Sequence, residues 1–91
     1  MQSIPEPSMG FTIYAKTSCG YCRRAKEMLP GARVVDCDGY LSTDRDTFLK
    51  SMDLKTGRTY RTFPMVFHNG TFIGGYEDTK EFKDFNLGED F

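Results

Sequence analysis

The chain has 91 residues, of which 38% are hydrophobic, and its 12 basic residues nearly balance its 13 acidic ones. This length predicts one domain with a modest core, and the near-zero net charge disfavours nucleic-acid or membrane binding as the main activity. No apolar run approaches the roughly 18–20 residues that cross a bilayer. Residues 1–9 lack the basic start and apolar block of a secretory signal, so we expect a flexible lead before a single domain over 10–91.

The first elements predicted along the chain are a strand and a helix. Phe11, Ile13 and Ala15 alternate with Thr12 and Tyr14, so residues 11–15 are predicted to form a strand. A helix beginning at Cys19 or Gly20 is expected to reach about Leu29, because Pro30-Gly31 follows. The residues expected on its inner face are Cys22, Ala25 and Leu29.

A second strand and a second helix are predicted next. Val34 and Val35 indicate a short strand over 33–37, which Asp38-Gly39 should break. Either Ser42 or Thr43 can cap a helix over about 43–55. The residues expected on its inner face are Phe48, Leu49 and Met52.

The last third of the chain predicts a hairpin and a final helix. Asn69-Gly70 is a strong signal for a two-residue hairpin turn, and it separates the apolar runs 65–67 and 71–73. Asp78 is expected to cap the last helix, with Glu81 three positions later as its capping-box partner. Phe82 and Phe85 are expected to form the apolar face of that helix.

The predicted order is βαβαββα, which indicates an α/β domain with a four-stranded mixed sheet flanked by three helices. A helix joins the first two strands, so these strands should be parallel with a right-handed crossover. The hairpin should add two antiparallel strands to the same sheet.

A pair of cysteines between the first strand and the first helix points to redox chemistry. Cys19-Gly20-Tyr21-Cys22 is a C-x-x-C motif in a βαβ context, which is typical of thioredoxin-like redox sites. A thiolate attacks a disulfide, and the N-terminus of a helix stabilises that anion. The helix contributes at most about 2 kcal/mol, or little more than one pKa unit, so nearby cations should assist. The candidate cations are Lys16, Arg23 and Arg24.

The spacing of the two cysteines assigns their roles. Cys19 precedes the first turn and can be exposed, so it should be the nucleophile, whereas Cys22 lies one turn inside and should resolve a mixed disulfide. Two alternatives are an inert buried pair and a zinc site completed by Cys37 and His68, although those spacings match no common zinc module. Cys37 and His68 are otherwise interpreted as a bystander thiol and a turn-flanking residue.

Two further segments make the interpretation specific. Thr62-Phe63-Pro64 precedes a strand, and Gly74-Gly75-Tyr76-Glu77-Asp78 follows the hairpin. Together with the segment from Lys16 to Cys22, they resemble the three signatures of glutaredoxins, in order and across about residues 10–86. The resemblance implies a thioredoxin fold, a cis bond before Pro64, and a glutathione-dependent thiol–disulfide oxidoreductase. Thioredoxin proper is disfavoured, since the chain has no Trp.

The resemblance also implies a set of glutathione contacts. Lys16, alone or with Arg61, would hold the glycine carboxylate, and the backbone of Phe63 would pair with the cysteine residue of glutathione. The N–H groups of Tyr76 and Glu77 would bind the γ-glutamyl carboxylate, as helix N-termini bind anions. Asp78 or Glu77 would take the amine, and Tyr21, Thr62 and Gly75 would line the groove. The full set implied is Lys16, Tyr21, Arg61, Thr62, Phe63, Pro64, Gly75, Tyr76, Glu77 and Asp78.

Plainer interpretations stay open for four of these residues. In these interpretations Asp78 is only a helix cap, and Arg61 is a solvated loop charge. Phe63 is a core aromatic, and Tyr21 is a plain surface aromatic.

Two positions depart from the pattern of many dithiol glutaredoxins. Gly20 stands where many have Pro, and Phe63 stands where many have Val. Some members with a small residue at the first position assemble a [2Fe–2S] cluster between two subunits, with the first cysteine, here Cys19, and glutathione as ligands. The alternatives to the oxidoreductase are therefore such a cluster carrier or sensor, and a thioredoxin-like disulfide reductase. The expected partners are glutathione and glutathionylated or disulfide-containing proteins. We expect the protein to be a monomer and to be cytoplasmic.

Overall fold

The computed structural model describes residues 3–86, in which four strands form one mixed sheet with four helices around it. The sheet has the strand order β2-β1-β3-β4, with β1 parallel to β2 and antiparallel to β3. This is the predicted α/β thioredoxin-fold topology. The elements are β1 (Phe11–Ala15), α1 (Gly20–Met28), β2 (Arg33–Asp36), α2 (Asp38–Thr43), α3 (Arg45–Thr56), β3 (Met65–His68), β4 (Thr71–Gly74) and α4 (Tyr76–Asn86).

The register of the two central strands brings the dithiol and the segment before β3 to one edge of the sheet. Tyr14 of β1 pairs with Met65 of β3, and Phe11 pairs with His68. The carboxyl end of β1 and the start of β3 therefore meet. The loop that leads to Cys19 leaves from the first of these ends, and Phe63-Pro64 enters the second.

The hairpin between β3 and β4 has the turn that its sequence predicts. Asn69 and Gly70 both have positive φ angles, 51° and 84°, as a type I′ turn requires at its two central positions. The Asn69 side chain also accepts a hydrogen bond from Gly10 N–H at 2.7 Å, which links the turn to the start of β1.

The core consists of two apolar clusters, and the inward faces predicted for the first two helices are confirmed. One cluster contains Cys22, Ala25 and Leu29 against β1 and β3, and these three side chains are at most 4% exposed. Burying such side chains is the main favourable term in folding. The other cluster consists of Tyr14, Val35, Cys37, Phe48, Leu49, Met52, Met65 and Phe67.

The prediction of three helices, and the residue predicted to cap the second, were wrong. Asp38-Gly39 does not merely break a strand, because these residues begin the short helix α2. The following helix α3 is capped by Asp44 rather than by Ser42 or Thr43, and the Asp44 side chain accepts the Thr47 N–H. Pattern reasoning missed α2 because none of its side chains is fully buried, so it carries no clear apolar stripe.

The last helix also differs from the prediction. It begins at Tyr76, so Asp78 lies within its first turn and is not the residue that precedes it. Phe82 is half-buried and its ring lies 6.0 Å from that of Phe11, whereas Phe85 is 86% exposed. The expectation that Phe85 packs inward was therefore wrong.

The residues before β1 contact the body of the domain. The Tyr40 hydroxyl donates to the Ser3 carbonyl at 3.0 Å, and Lys55 forms an ion pair with Glu6. The flexibility of residues 1–9 stays a prediction, and Met1 and Gln2 lie outside the described residues. Among residues 3–86, no helix combines the length and apolarity needed to cross a bilayer.

Candidate active site

Cys19 stands at the N-terminus of α1, where its sulfur faces the helix backbone. It is the N-cap residue, with extended backbone angles, and its Sγ accepts the N–H of Cys22 at 3.1 Å. The unpaired N–H groups of a first turn and the helix dipole both favour negative charge at this position. A thiolate at Cys19 would therefore be stabilised by the backbone N–H of Cys22.

The two cysteines form a disulfide, and their environments differ. Their Cα atoms are 5.2 Å apart. Cys22 is 1% exposed and packs in the core, whereas Cys19 is partly exposed beside it. Only the sulfur of Cys19 is open to an incoming disulfide. This difference matches the division of roles that the spacing suggested.

The segment before β3 lies against the dithiol. The Phe63–Pro64 peptide is cis, as the resemblance implied, and the Phe63 carbonyl oxygen lies 3.7 Å from Cys19 Sγ. The Phe63 ring stacks on the buried ring of Phe48 at 6.4 Å, so Phe63 is also partly a core aromatic. Its backbone faces the reactive sulfur while its side chain packs on the core.

Lys16 supplies a cation beside the Phe63 side chain. Its Nζ lies 5.6 Å from the centroid of the Phe63 ring, in a cation–π arrangement. Lys16 is exposed, and so is Thr62 next to Phe63. The structure thus brings Lys16, Thr62 and Phe63 together beside Cys19.

The N-terminus of α4 forms the second side of the candidate groove. Asp78 Oδ2 accepts the Gly75 N–H at 3.3 Å, and Thr79 Oγ1 donates to the Gly75 carbonyl at 2.7 Å. Asp78 thus caps the helix from inside its first turn, while the N–H groups of Tyr76 and Glu77 have no acceptor within the helix. Free N–H groups at a helix N-terminus favour an anion, which is the role that the resemblance implied for these two.

An aromatic pair connects the first turns of α1 and α4. The rings of Tyr21 and Tyr76 stack with their centroids 5.6 Å apart. Tyr21 is 54% exposed, so it is not solely a packing residue.

Arg61 is already held by a partner. It binds Asp53 of α3 through both guanidinium nitrogens, at 2.6 and 3.1 Å, and this hydrogen bonding holds the pKa of the Asp53 carboxyl below its usual value. Arg61 is therefore less available for a ligand than Lys16 is.

Two contacts near the site were not anticipated. The Thr17 N–H donates to Asp38 Oδ1 at 3.0 Å, which ties the loop before Cys19 to the start of α2. In addition, a side chain at Gly75 would meet the Tyr60 hydroxyl, so Gly75 leaves room for that residue. No local sequence signal points to either contact, because each joins residues distant along the chain.

The two remaining thiol or imidazole groups lie away from the dithiol. Cys37 belongs to the cluster around Phe48, and its burial raises the pKa of the thiol to about 12. His68 is at the far end of β3, beside Phe11. Neither group lies where it could complete a zinc site with Cys19 and Cys22.

Comparison with known proteins decides the family. The glutaredoxin family model matches residues 11–73. The chain belongs to the glutaredoxin family. It is 42% identical to human mitochondrial glutaredoxin-2 over 71 residues, which cover 74% of this chain and 41% of that protein. It is 36% identical to glutaredoxin-C1 of Arabidopsis thaliana over 73 residues, which cover 76% of this chain and 55% of that one. This glutaredoxin chain therefore spans about half the length of such relatives, or less.

Solved glutaredoxins share its fold. Glutaredoxin 1 from Francisella tularensis, complexed with cacodylate, superposes with a TM-score of 0.71 at 27% identity, covering 90% of this chain and all of that one. The buckwheat glutaredoxin–glutathione complex superposes with a TM-score of 0.63 at 32% identity, covering 85% and 71% of the two chains. The four-stranded sheet and its helices are thus the glutaredoxin fold.

Proposed function

We propose that this glutaredoxin is a glutathione-dependent thiol–disulfide oxidoreductase that reduces protein–glutathione mixed disulfides and protein disulfides. The observation that carries the proposal is the position of Cys19. Its sulfur is partly exposed, accepts the Cys22 N–H at 3.1 Å, and lies 3.7 Å from the carbonyl oxygen of Phe63. A nucleophile, its stabilising donor and a backbone strip for a peptide-like substrate are thus adjacent.

Glutathione fits the charges around that sulfur. Lys16 would bind its glycine carboxylate, and the backbone of Phe63 would pair with its cysteine residue as one strand pairs with another. The N–H groups of Tyr76 and Glu77 would bind the γ-glutamyl carboxylate, and Asp78 would attract the amine. The relative from buckwheat has a structure in complex with glutathione, which supports the assignment. Arg61 has a secondary role at most, because Asp53 engages its guanidinium.

The first half of the reaction transfers glutathione to the enzyme. The thiolate of Cys19 attacks the glutathione sulfur of the mixed disulfide, a Cys19–glutathione bond forms, and the target protein leaves as a thiolate. A second glutathione thiolate then attacks the adduct at its glutathione sulfur. This step releases glutathione disulfide and restores the Cys19 thiolate, so one free glutathione is consumed for each target thiol released, and the disulfide passes from the target to glutathione.

Protein disulfides require the second cysteine. Attack by Cys19 leaves it joined to one target sulfur, and the thiol of Cys22 loses its proton and attacks Cys19 Sγ. The target leaves with both sulfurs reduced, and the Cys19–Cys22 disulfide is then reduced by two glutathione molecules. Burial suits Cys22 to this role, since only an adduct on Cys19 comes within its reach.

Two single substitutions test the proposal. Cys19→Ser should abolish turnover of a glutathionylated protein, whereas Cys22→Ser should retain it and lose the reduction of protein disulfides. Release of glutathione and of target thiol should be measured together. Equal loss in both variants would contradict the division of roles, and turnover by Cys19→Ser would contradict the nucleophile.

The cytoplasmic location expected from the sequence stays a proposal. The relatives include mitochondrial proteins, so fractionation of the source cells is the test.

A [2Fe–2S] cluster ligated by Cys19 stays a prediction, tested by visible absorption after anaerobic reconstitution with glutathione. The exposed first turn at Gly20, with open space where a side chain would stand, is compatible with it. The monomeric state likewise stays a prediction.

A further inference from the structure

The solvent-facing side of helix α1 carries two arginines that have no place in the proposed contacts with glutathione, and they lie beside Tyr21, which has one. We call this side the α1 outer face and define it as Gly20, Tyr21, Arg23 and Arg24. All four are exposed, with Tyr21 at 54%. Cys22 and Ala25 of the same helix point into the core. The face therefore borders the reactive sulfur without belonging to the core.

The position of this face relative to Cys19 makes it the approach side for a polypeptide. The Arg23 N–H donates to the Cys19 carbonyl at 3.2 Å, so Arg23 lies one helical turn beyond the cysteine and on the same side. Glutathione, as proposed above, contacts Lys16, Phe63 and the start of α4, and none of these contacts uses Arg23 or Arg24. The two exposed arginines are therefore left to meet a target polypeptide joined to that glutathione.

Stacking holds one of the two guanidinium groups in place. The Arg24 guanidinium carbon lies 5.5 Å from the centroid of the Tyr21 ring, and Tyr21 in turn stacks on Tyr76 of α4 at 5.6 Å. This three-layer column connects the first turns of two helices. An arginine stacked in this way loses less rotamer freedom when it binds, because it is already ordered.

The two arginines have no carboxylate partner of their own. Within residues 3–86 no carboxylate lies at ion-pair distance from Arg23 or Arg24, and the first turn of α1 contains no acidic residue. Glu27 lies one turn farther from Cys19, and Glu77 lies at the start of α4. The immediate border of the sulfur on this side is therefore cationic and aromatic. Tyr and Arg are enriched in protein–protein interfaces.

We propose that the α1 outer face binds an acidic stretch of the target polypeptide next to its glutathionylated cysteine. The inference rests on the function proposed above and names the class of protein substrate. Complementary charge would raise the rate at which such targets reach Cys19 and would disfavour targets with basic flanks. Targets of this kind carry Asp or Glu within a few residues of the modified cysteine.

The test uses three glutathionylated peptides of equal length that differ only in flanking residues, which are acidic, neutral or basic. Their kcat/KM values should each be divided by that of cysteine–glutathione mixed disulfide, which has no polypeptide flank. We expect the wild type to favour the acidic over the basic peptide by about tenfold at low salt. The Arg23→Gln/Arg24→Gln double variant should reduce this ratio to about one to two.

A matched variant controls for net charge. Arg45→Gln/Lys50→Gln removes two exposed cations from a different helix, α3, and should keep the acidic preference. Equal rates for the three peptides with the wild type would overturn the inference, and so would an equal effect of both double variants. In either case, turnover of the cysteine–glutathione mixed disulfide would leave the proposed function standing. Failure to turn over the small disulfide as well would remove both.

Discussion

Thr17 and Asp38 are joined by a hydrogen bond from a backbone N–H to a carboxylate oxygen, 3.0 Å long, across 21 positions of the sequence. The bond lies two residues before Cys19, and Ser18 between them has a positive φ of 56°. A residue other than Gly in this left-handed region is strained, and its surroundings must hold it there. The Asp38 carboxylate is one of the groups that do so, which makes it a positioning residue for the nucleophile.

We expect Asp38→Ala to lower deglutathionylation turnover several-fold and the free energy of unfolding by about 1 kcal/mol, since it leaves the Thr17 N–H without its acceptor. Asp38→Asn retains an acceptor oxygen and should recover most of both quantities. The measurements are turnover and urea unfolding. Asp46→Ala, which removes an acidic residue from the first turn of α3, is the control for the helix dipole. Equal turnover in Asp38→Ala and wild type would contradict the positioning role.

Lys16 is expected to stabilise the Cys19 thiolate and to bind glutathione. Lys16→Ala should therefore raise the pKa of the Cys19 thiol and increase KM for glutathione. The rate of alkylation against pH, measured in a Cys22→Ser background, gives the first quantity. The shift should shrink in high salt, because an exposed charge is screened. An alkylation profile identical to that of Lys50→Ala would exclude Lys16 from this role.

Cys37 should make the protein less stable in alkali. Burial raises the pKa of its thiol from 9.0 to about 12, so the folded state retains a proton that the unfolded chain releases. The stabilisation is complete below about pH 9 and is lost as pH rises toward 12, by up to about 1.4 kcal/mol per pH unit. Tyr14, whose pKa burial also raises, adds to the loss at higher pH.

Urea unfolding between pH 8 and pH 11 tests this behaviour. Cys37→Ala has no thiol to titrate and should show a shallower decline over the first part of that range, although the smaller side chain lowers stability at every pH. Parallel declines in the two proteins would assign the alkaline loss to other groups. The folded wild type should also resist alkylation at Cys37.

Gly74 should tolerate no side chain. A Cβ there would collide with the Asp78 carboxylate, and its φ of 137° is outside the range that other residues adopt readily. Gly74→Ala should lower the free energy of unfolding by about 2 kcal/mol or more and weaken glutathione binding, because Asp78 is displaced from the Gly75 N–H. Gly39→Ala, in α2 with open space around its α-carbon, is the control and should be neutral or stabilising. Unchanged stability in Gly74→Ala would contradict the clash.

Strong local signals predicted most of the fold correctly. The strand over 11–15, the Asn69-Gly70 turn and the inward face of Cys22, Ala25 and Leu29 each arise from a few neighbouring residues, and each was confirmed. Thr12 and Tyr14 are nevertheless as buried as Ile13, so the alternation along this strand did not show which residues are exposed. The signal was weak for α2, whose side chains are not fully buried, and at Phe85, where helical spacing alone could not show that no core lies opposite.

The sequence by itself determined the dithiol and its chemistry, because a C-x-x-C between a strand and a helix places one sulfur at the helix N-terminus through local geometry alone. Only the tertiary structure decided which residues, distant in sequence, lie around that sulfur. The Phe63 carbonyl beside Cys19, the Asp38 carboxylate on Thr17 and the capture of Arg61 by Asp53 depend on how strands and helices pack. Such contacts join positions far apart in the chain, so no local pattern encodes them.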